Sequence, residues 1–378
     1  MKVIHLPVNI SSQISTTVRA LRSLGVEARG LVRHFSSIQD HTGVEALDWS
    51  GDPKPFGRLW RGLRWRWKMV RAMAWTDVVH WHWGDTTWKG IDLRIAARLG
   101  KPRLVEFWGD DLREPAIASR DNDFIAKMYR QHPELANQRS KPVQQMFSRN
   151  GFACLIPGYE LADYLNPSLF PGYYQTRPRV FAADFTPDFP DPSGHRPLLV
   201  HAPSDKARKG TEAVLAAVAA LQKTHSFDFK LIHQMPRNEA LATVARADLF
   251  LDQFTVGAEG LAALEAMALG KPVVCFIKNA LQGRYPVEVP IVVCDQNTLA
   301  STIAPLIENA EQRHKLGVES RNYVETYHDA LKVSAELIEI YEDLALNTHN
   351  RLKTWSGSDS MHWHVLSKSK TPTEPCVP

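Results

Sequence analysis

"GAEGLAALEAMALGKPVV", residues 257–274, joins a glycine-bearing loop, a helix and a strand in one short segment. The helical pattern ends at Gly270, and the Pro-Val-Val that follows is typical of a buried strand. Gly257 and Gly260 allow backbone N–H groups at the start of the helix to approach a ligand closely. A loop–helix–strand unit of this kind indicates a parallel sheet with crossover helices.

The same alternation of strands and helices extends on both sides of this segment. It is interrupted by "DFTPDFPDPSGHRP", residues 184–197, whose proline and aspartate content predicts an interdomain linker. The sequence therefore predicts two doubly wound α/β domains, residues 1–185 and 196–328, that face a cleft at the carboxyl ends of their strands. We also expect a helix over 329–346 that can cross back to the first domain, and a disordered tail over 348–378.

Composition narrows the class of protein. The 378 residues are 44% hydrophobic, which is enough for two cores. The longest apolar runs are far shorter than the roughly 20 residues of a membrane span, and the first residues lack the pattern of a signal peptide. The four cysteines are scattered, which argues against a zinc site and against a disulfide framework and fits a reducing cytosol. We therefore expect a cytoplasmic protein.

The basic residues that make the net charge +4 are concentrated in one segment. Seven basic and no acidic residues lie between Pro53 and Thr76, which leaves −3 for the rest of the chain, and this argues against a general nucleic-acid binder.

"HAPSDKARKGTEAVLAAV", residues 201–218, places two cations where a strand gives way to a helix. Arg208 and Lys209 precede Gly210 at the predicted amino end of that helix, where free N–H groups carry partial positive charge. The pattern is typical of a phosphate or diphosphate site. A solvated basic loop tip fits the spacing equally well.

Glu265 lies within the apolar helix of the first segment, between Leu264 and Ala266. A carboxylate in such surroundings needs hydrogen-bond partners, because its burial alone is costly. A pair of ribose hydroxyls would supply them. The alternative is that Glu265 faces water.

Together these segments resemble group 1 (family 4) of the retaining nucleotide-sugar glycosyltransferases, and "EAMALGKPVV" is nearly the family pattern. The resemblance covers most of the chain up to about residue 346. It implies the GT-B architecture, with the donor bound by the C-terminal domain and the acceptor by the N-terminal one. It also implies that Lys209 holds the donor diphosphate, that Glu265 binds the ribose, and that the loop after "LVEFWGDD" lies near the sugar and the acceptor.

On the donor side, the sequence departs from the family at two positions. Gly257 stands where the family usually has a glutamate that touches the donor sugar, and Glu259 follows two residues later. Ser204 stands where the family usually has an arginine, for which Arg208 is a candidate substitute.

On the acceptor side, Trp108 stands where the family often has a histidine. Ser11 and Ser12 replace the glycine pair that usually follows the first strand.

We predict a transfer that needs no metal ion, because cations at the departing diphosphate can take the place of one. Lys209, with Arg208 or Ser204, would neutralise that charge, and the family's front-face attack needs no second carboxylate. The donor-binding N–H groups are predicted to come from one short run: Gly257, Ala258, Glu259, Gly260 and Leu261.

Polar residues after two strands of the first domain are acceptor-side candidates. Asp110 and Asp111 would orient the acceptor hydroxyl or the sugar, or alternatively cap a helix. His82 shares a strand face with His80 and is the one expected nearer the cleft, although most strand histidines are structural.

"FGRLWRGLRWRWKMVRAMAW", residues 56–75, predicts an amphipathic helix. Its spacing predicts one buried apolar stripe, made of Phe56, Leu59, Trp60, Leu63, Trp67, Val70 and Ala74. The opposite side would carry Arg58, Arg61, Arg64, Trp65 and Lys68. Through Arg58, Arg61 and Lys68 this side could contact an anionic membrane, at the inner face of the plasma membrane; a solvated charged face is the alternative.

The sequence thus predicts a glycosyltransferase that moves a sugar from a nucleotide-sugar donor to a glycan or lipid-linked acceptor with retention. Two alternatives remain. One is a non-catalytic GT-B protein that binds a nucleotide or a protein partner, which Gly257 and Trp108 keep open. The other is an epimerase on the same fold, which would need an acid/base set that the sequence does not display.

Overall fold

A computed structural model describes residues 1–36, 39–46, 55–136, 139–349 and 363–366. These residues form two sheets, in the orders β13-β7-β6-β5-β4-β1-β2-β3 and β12-β11-β10-β8-β9. The strands of the first sheet are β1 (Lys2–Pro7), β2 (Glu27–Val32), β3 (Val44–Ala46), β4 (Val78–His82), β5 (Arg103–Glu106), β6 (Ala153–Ile156), β7 (Gly172–Gln175) and β13 (Trp363–Val365). Those of the second are β8 (Leu198–His201), β9 (Asp228–Leu231), β10 (Leu249–Leu251), β11 (Val273–Cys275) and β12 (Ile291–Val293).

Every strand pair is parallel except β13 with β7. Strands such as β4 and β5 are buried along their whole length, as expected for a sheet covered on both faces. The predicted α/β fold class with parallel sheets is confirmed.

Helices cover both sheets. In the first half of the chain these are α1 (Gln13–Ser23), α2 (Pro55–Trp75), α3 (Ile91–Arg98), α4 (Pro115–Ala118), α5 (Asp123–Gln131) and α6 (Ser140–Arg149). In the second half they are α7 (Lys206–Lys209), α8 (Thr211–Leu221), α9 (Arg237–Ala245), α10 (Leu261–Ala268), α11 (Asn279–Gln282), α12 (Leu299–Glu308), α13 (Ala310–Tyr327) and α14 (Ala330–His349). None of the described helices is long and apolar enough to span a bilayer.

The last long helix, α14, packs against α1 and the first sheet. Leu337, Ile340 and Tyr341 are fully buried there, in one cluster with Val3 and Val78 of that sheet. The final helix therefore returns to the first half of the molecule.

The apolar stripe predicted for α2 is wrong. Trp60, Leu63 and Trp67 are 64%, 47% and 59% exposed, whereas Trp65, expected outside, is 2% exposed. The buried stripe consists of Trp65, Met69 and Met73, which pack in one cluster with residues of β1, β4 and the segment after β5. Tryptophans lie on both sides of this helix, so its periodicity fits two faces, and the face that packs is the one opposite to that predicted.

The remaining residues of the predicted stripe and basic side are placed as follows. Val70 is half-buried against the core and Ala74 is exposed. Arg64 is exposed, Arg61 is half-buried, and Lys68 lies 3.4 Å from the Glu45 carboxylate. The side chains of Phe56, Arg58 and Leu59 lie outside the described residues.

Within the segment predicted as a disordered tail, residues 363–366 instead pair with β7. The Trp363 ring packs on Tyr174 with centroids 4.9 Å apart, and Leu366 N donates to Pro171 O at 2.9 Å. Gly172 makes this possible, because a Cβ there would lie 2.5 Å from the Trp363 ring. An aromatic ring and edge-strand hydrogen bonds order these residues; 350–362 and 367–378 lie outside the described residues.

Candidate active site

The carboxyl ends of the two sheets face a cleft with a cavity of ≈ 300 Å³. Such ends are where open α/β sheets bind ligands. The structure brings ten of the predicted site residues to this cavity: Ser11, Trp108, Asp110, Ser204, Arg208, Lys209, Ala258, Glu259, Gly260 and Leu261. Residues from both halves of the chain therefore line one site.

Lys209 is held at the amino end of α10. Its Nζ lies 2.6 Å from Asp252 Oδ1, and Asp252 Oδ2 accepts the Gly260 N–H at 2.8 Å. Asp252 is 2% exposed, so this pair is fixed inside the wall of the cleft. Gly260 leaves the space for it, because a Cβ there would lie 2.7 Å from the Lys209 Nζ. The Lys209 ammonium group and the amino end of α10 thus lie at the same place, which suits an anion.

The short helix α7 positions the side chain of Lys209. The side chain of Asp205 caps it by accepting the Arg208 N–H at 2.9 Å. Gly210 then takes a left-handed φ of 70°, and the chain turns directly into α8. Asp205 and Gly210 together explain why the Lys209 ammonium group lies beyond the carboxyl end of β8.

Arg208 and Asp110 form an ion pair across the cleft. Asp110 also contacts Arg113 at 2.8 Å, and Arg113 in turn pairs with Glu160. The sequence predicts a donor role for Arg208 and an acceptor role for Asp110; the structure joins the two side chains to each other. A ligand that uses either group must share or replace this contact.

Asp111 does not line the cleft. Its carboxylate accepts the N–H groups of Gly84 at 2.8 Å, Gly109 at 2.9 Å and Trp108 at 3.0 Å. Burial raises its pKa to about 6. Asp111 therefore shapes the loop that presents Trp108 and Asp110, which is close to the capping alternative.

Glu259 is the carboxylate that the loop before α10 presents to the cavity. It accepts a hydrogen bond from the Tyr285 hydroxyl, and burial raises its pKa to about 7. Gly257 has a left-handed φ of 89°, and a Cβ there would lie 2.4 Å from Lys278 Cγ. In this loop a glutamate at position 257 does not fit, and Gly257 itself is not part of the cavity lining.

Glu265 lies in an adjoining pocket and pairs with Arg237 at the start of α9. Its side chain is 20% exposed, and burial raises its pKa. Ser11 and Leu261 line both pockets, so the two hollows are neighbours. Glu265 therefore does not simply face water, because Arg237 is its partner. Its predicted contact with ribose stays a prediction.

Ser11 and Ser12 adopt the backbone conformation that glycine favours. Their φ angles are 46° and 64°, and Trp83, which also lines the cleft, has φ 70°. Side chains other than glycine rarely adopt such angles, and strained backbone of this kind concentrates at functional sites. Ser12 lines only the adjoining pocket, where its Oγ accepts the Asp40 N–H at 2.8 Å.

His82 is fully buried behind Trp108 and does not reach the cleft. The two rings are stacked with centroids 6.5 Å apart, and the Arg179 guanidinium lies 5.4 Å from the Trp108 ring on the same wall. The expectation that His82 approaches the cleft is thus wrong, because the larger indole lies between them.

Behind Trp108 lies a buried polar network centred on Glu106. Glu106 Oε1 is 2.7 Å from Arg179, and Oε2 lies 3.1 Å from His80 and 3.2 Å from His82. His80 Nδ1 is 2.7 Å from the Tyr341 hydroxyl of α14. The network joins the sheet, the segment after β7 and the last helix.

The three imidazoles of this network are neutral. His5 Nδ1 lies 2.9 Å from His82 Nε2, and burial lowers the pKa values of His5, His80 and His82 well below the ordinary value. Within the described part of the chain they are the one group of three such side chains close enough to share a metal ion. Five of their six nitrogens already face Glu106, Tyr341 or one another, the exception being His5 Nε2, so a metal ion would have to replace some of those contacts.

Residues of the site that were not singled out in the sequence include Arg113, Glu160, Asp252 and Tyr285. Asp252 directly follows the strand "LFL" and could have been identified from its position at a strand end. Glu160 comes from a short 3-10 helix, Tyr159–Tyr164, and Tyr285 from an irregular loop, and in both the local sequence gives no signal.

Solved structures share this fold. Sucrose-phosphate synthase from Thermosynechococcus elongatus has a TM-score of 0.64 at 14% identity, with 92% of this chain and 100% of that chain covered. HepE from Anabaena, in complex with UDP and glucose, has a TM-score of 0.58 at 14% identity, with 90% and 100% covered. WaaG, a glycosyltransferase involved in lipopolysaccharide biosynthesis, has a TM-score of 0.53 at 13% identity, with 90% and 99% covered.

No model of a known protein family matches the sequence, and neither does any curated protein. At these identities the similarity defines the fold. The chain has the GT-B fold, with two parallel sheets facing a cleft.

Proposed function

We propose that this chain is a glycosyltransferase that moves a sugar, with retention, from a nucleotide-sugar donor to a glycan or lipid-linked acceptor. One observation carries the proposal. Lys209, fixed by Asp252, lies with the amino end of α10 in a cleft between two sheets. That arrangement suits a diphosphate, and the glycosyltransferases of the same fold, one of them solved with UDP and glucose, support the donor class.

Negative charge develops on the departing diphosphate as the bond to the sugar breaks. The Lys209 ammonium and the amino end of α10 stabilise it from fixed positions, since Asp252 holds both parts in place. In this proposal the transfer is independent of metal ions. Arg208 joins when the ligand displaces its contact with Asp110.

Retention is the finer part of the proposal. Glu259 stands beside the place of the sugar and takes the part that a glutamate at position 257 has in the family. With a pKa near 7 it is partly protonated at neutral pH and can donate or accept a hydrogen bond to a sugar hydroxyl. The leaving phosphate, not a second carboxylate, accepts the proton of the incoming acceptor.

The acceptor would enter along the wall that carries Ser11, Trp108 and Asp110. Trp108 offers a flat apolar ring, which suits the faces of sugar rings. The similarity to WaaG supports an acceptor on a lipid or glycan. We place the protein in the cytoplasm, where nucleotide sugars are made.

Thermal stabilisation by nucleotide sugars tests the proposal. We expect one member of a UDP-, GDP- and ADP-sugar panel to raise the melting temperature, and the same compound to lose its sugar when acceptors are supplied. The matched bare nucleoside diphosphate should stabilise as well, because Lys209 contacts the diphosphate. If the whole panel leaves the melting temperature unchanged, the donor assignment fails.

A second candidate is nucleotide binding without turnover, which Gly257 favours because the family glutamate is missing there. The two functions differ in one result. If a nucleotide sugar stabilises the protein but its sugar is neither transferred nor hydrolysed, the result would support nucleotide binding without turnover.

A further inference from the structure

One face of α2 exposes large apolar side chains next to arginines. Trp60, Leu63 and Trp67 are 64%, 47% and 59% exposed; Arg64 lies between Leu63 and Trp67, Arg71 lies one turn after Trp67, and both arginines are exposed. At about 100° per residue these five positions fall on one side of the helix. We name them the aromatic–arginine face.

The fold does not require this face. The opposite side of α2 supplies the core contacts through Trp65, Met69 and Met73, each at most 2% exposed. Single exposed apolar residues are ordinary, but three in a row along a helix mark an interaction surface.

The charge of α2 indicates what covers the face. Pro55–Trp75 contains six basic residues and no acidic one. The Arg71 guanidinium lies 4.5 Å from the centre of the Trp67 ring, so a cation and an indole are presented together. Lys68, on the flank, is paired with Glu45 and therefore contributes less.

We propose that the aromatic–arginine face docks on an anionic lipid surface. The indoles and Leu63 would enter the headgroup layer, and the arginines would contact lipid phosphates. A second copy of the chain would bring the same positive charge to the face and be repelled. A lipid surface supplies apolar and anionic groups together, which matches both halves of the pattern.

The helix that carries this face contacts, through its other sides, the loop that leads to the acceptor wall of the cleft. The middle of α2 contacts the loop after β4, where Arg66 lies 4.8 Å from the Trp88 ring and Thr87 Oγ1 is 3.5 Å from Met69 Sδ. The same loop begins with Trp83, which lines the cleft. The docking itself does not rest on the proposed function.

Binding of the full chain to vesicles tests the docking. At low ionic strength the wild type should bind vesicles of phosphatidylglycerol and phosphatidylcholine and ignore vesicles of phosphatidylcholine alone. Arg64→Gln with Arg71→Gln should weaken binding about 30-fold, because each basic residue near an anionic surface contributes measurably. Trp60→Ala with Trp67→Ala should weaken it at least about tenfold at unchanged melting temperature.

Matched variants on the other half of the molecule serve as controls. Lys223→Gln with Lys315→Gln, and Leu215→Ala, change exposed cations and an exposed leucine there and should bind as the wild type does. Lys209→Ala should also bind normally, so failure of the proposed catalysis is distinguishable from failure of docking.

Three results would overturn the proposal. These are wild type that ignores anionic vesicles, face variants that bind as tightly as wild type, and a dimer in sedimentation velocity that the Trp60→Ala, Trp67→Ala variant abolishes. The last result would assign the face to a second copy of the chain.

Discussion

The two walls of the cleft are built by different physical means. The wall from the second sheet presents one fixed ion pair, Lys209 with Asp252, and the amino end of a helix. The wall from the first sheet presents Trp108, which is backed by Arg179, Glu106 and three neutral imidazoles that solvent does not reach. The first design offers charge to a ligand; the second fixes the shape of a surface. Substitutions should therefore affect ligand chemistry on one wall and stability on the other.

Arg179→Leu is the change expected to have the largest effect on stability. It leaves the carboxylate of Glu106 buried without its cation, and breaking such a pair costs about 3–5 kcal/mol. Chemical denaturation measures the free energy of unfolding. The control is Arg196→Leu, whose pair with Asp228 is exposed and should contribute at most about 1 kcal/mol. Equal losses in the two variants would show that the network does not support its wall.

Trp65→Ala should cost about 3–5 kcal/mol, since it leaves a cavity beneath the first sheet. Trp67→Ala, two residues along the same helix, should change the free energy of unfolding by less than about 0.5 kcal/mol. Thermal or denaturant unfolding compares the two. A larger loss at Trp67 would restore the stripe predicted from the sequence.

The Glu259 carboxyl group should make stability fall as the pH rises. Its pKa is raised from 4.5 to about 7, so the folded state binds this proton more tightly than the unfolded state. The resulting stabilisation is complete below about pH 4.5 and is lost as the pH rises through about 7. Relative to Glu259→Gln, which stays neutral, the wild type should lose about 2–3 kcal/mol between about pH 5 and pH 8. A constant difference over that range would contradict the assignment.

Glu265→Gln should have the smallest effect of the series. If Glu265 contacts ribose, the variant should bind the nucleoside diphosphate about tenfold more weakly, which corresponds to about 1.4 kcal/mol. Calorimetry measures the affinity, with Glu212→Gln on α8 as an exposed control. Unchanged affinity would leave Glu265 as the partner of Arg237 alone.

The donor wall could be predicted from the sequence because its signals are local. A strand end, two cations and a glycine-bearing helix start lie within short segments around Lys209 and Gly260, and the structure brings both to one cavity. The packing that Gly257 makes with Lys278 is the exception, since it joins positions far apart in the chain.

The acceptor wall could not be predicted in the same way. Its network joins residues 5, 106, 179 and 341, and no short segment contains two of its partners except β4. Hydrophobic periodicity could not identify the buried face of α2 either, because Trp65 and Trp67 place apolar side chains on opposite sides of the helix. Only the packing of Met69 and Met73 on the sheet decides which side is buried.

The central claim is that Lys209 stabilises a departing diphosphate, and sugar transfer by Lys209→Met tests it most directly. Because removal of the lysine leaves Asp252 buried and unpaired, the test includes the double variant Lys209→Met, Asp252→Asn, which removes both charges. With the nucleotide sugar that stabilises the wild type, kcat/KM should fall about 100- to 1000-fold in both variants. Lys206→Met, on the same short helix but exposed, should stay within about twofold of wild type. Near-normal transfer by either Lys209 variant would contradict the account.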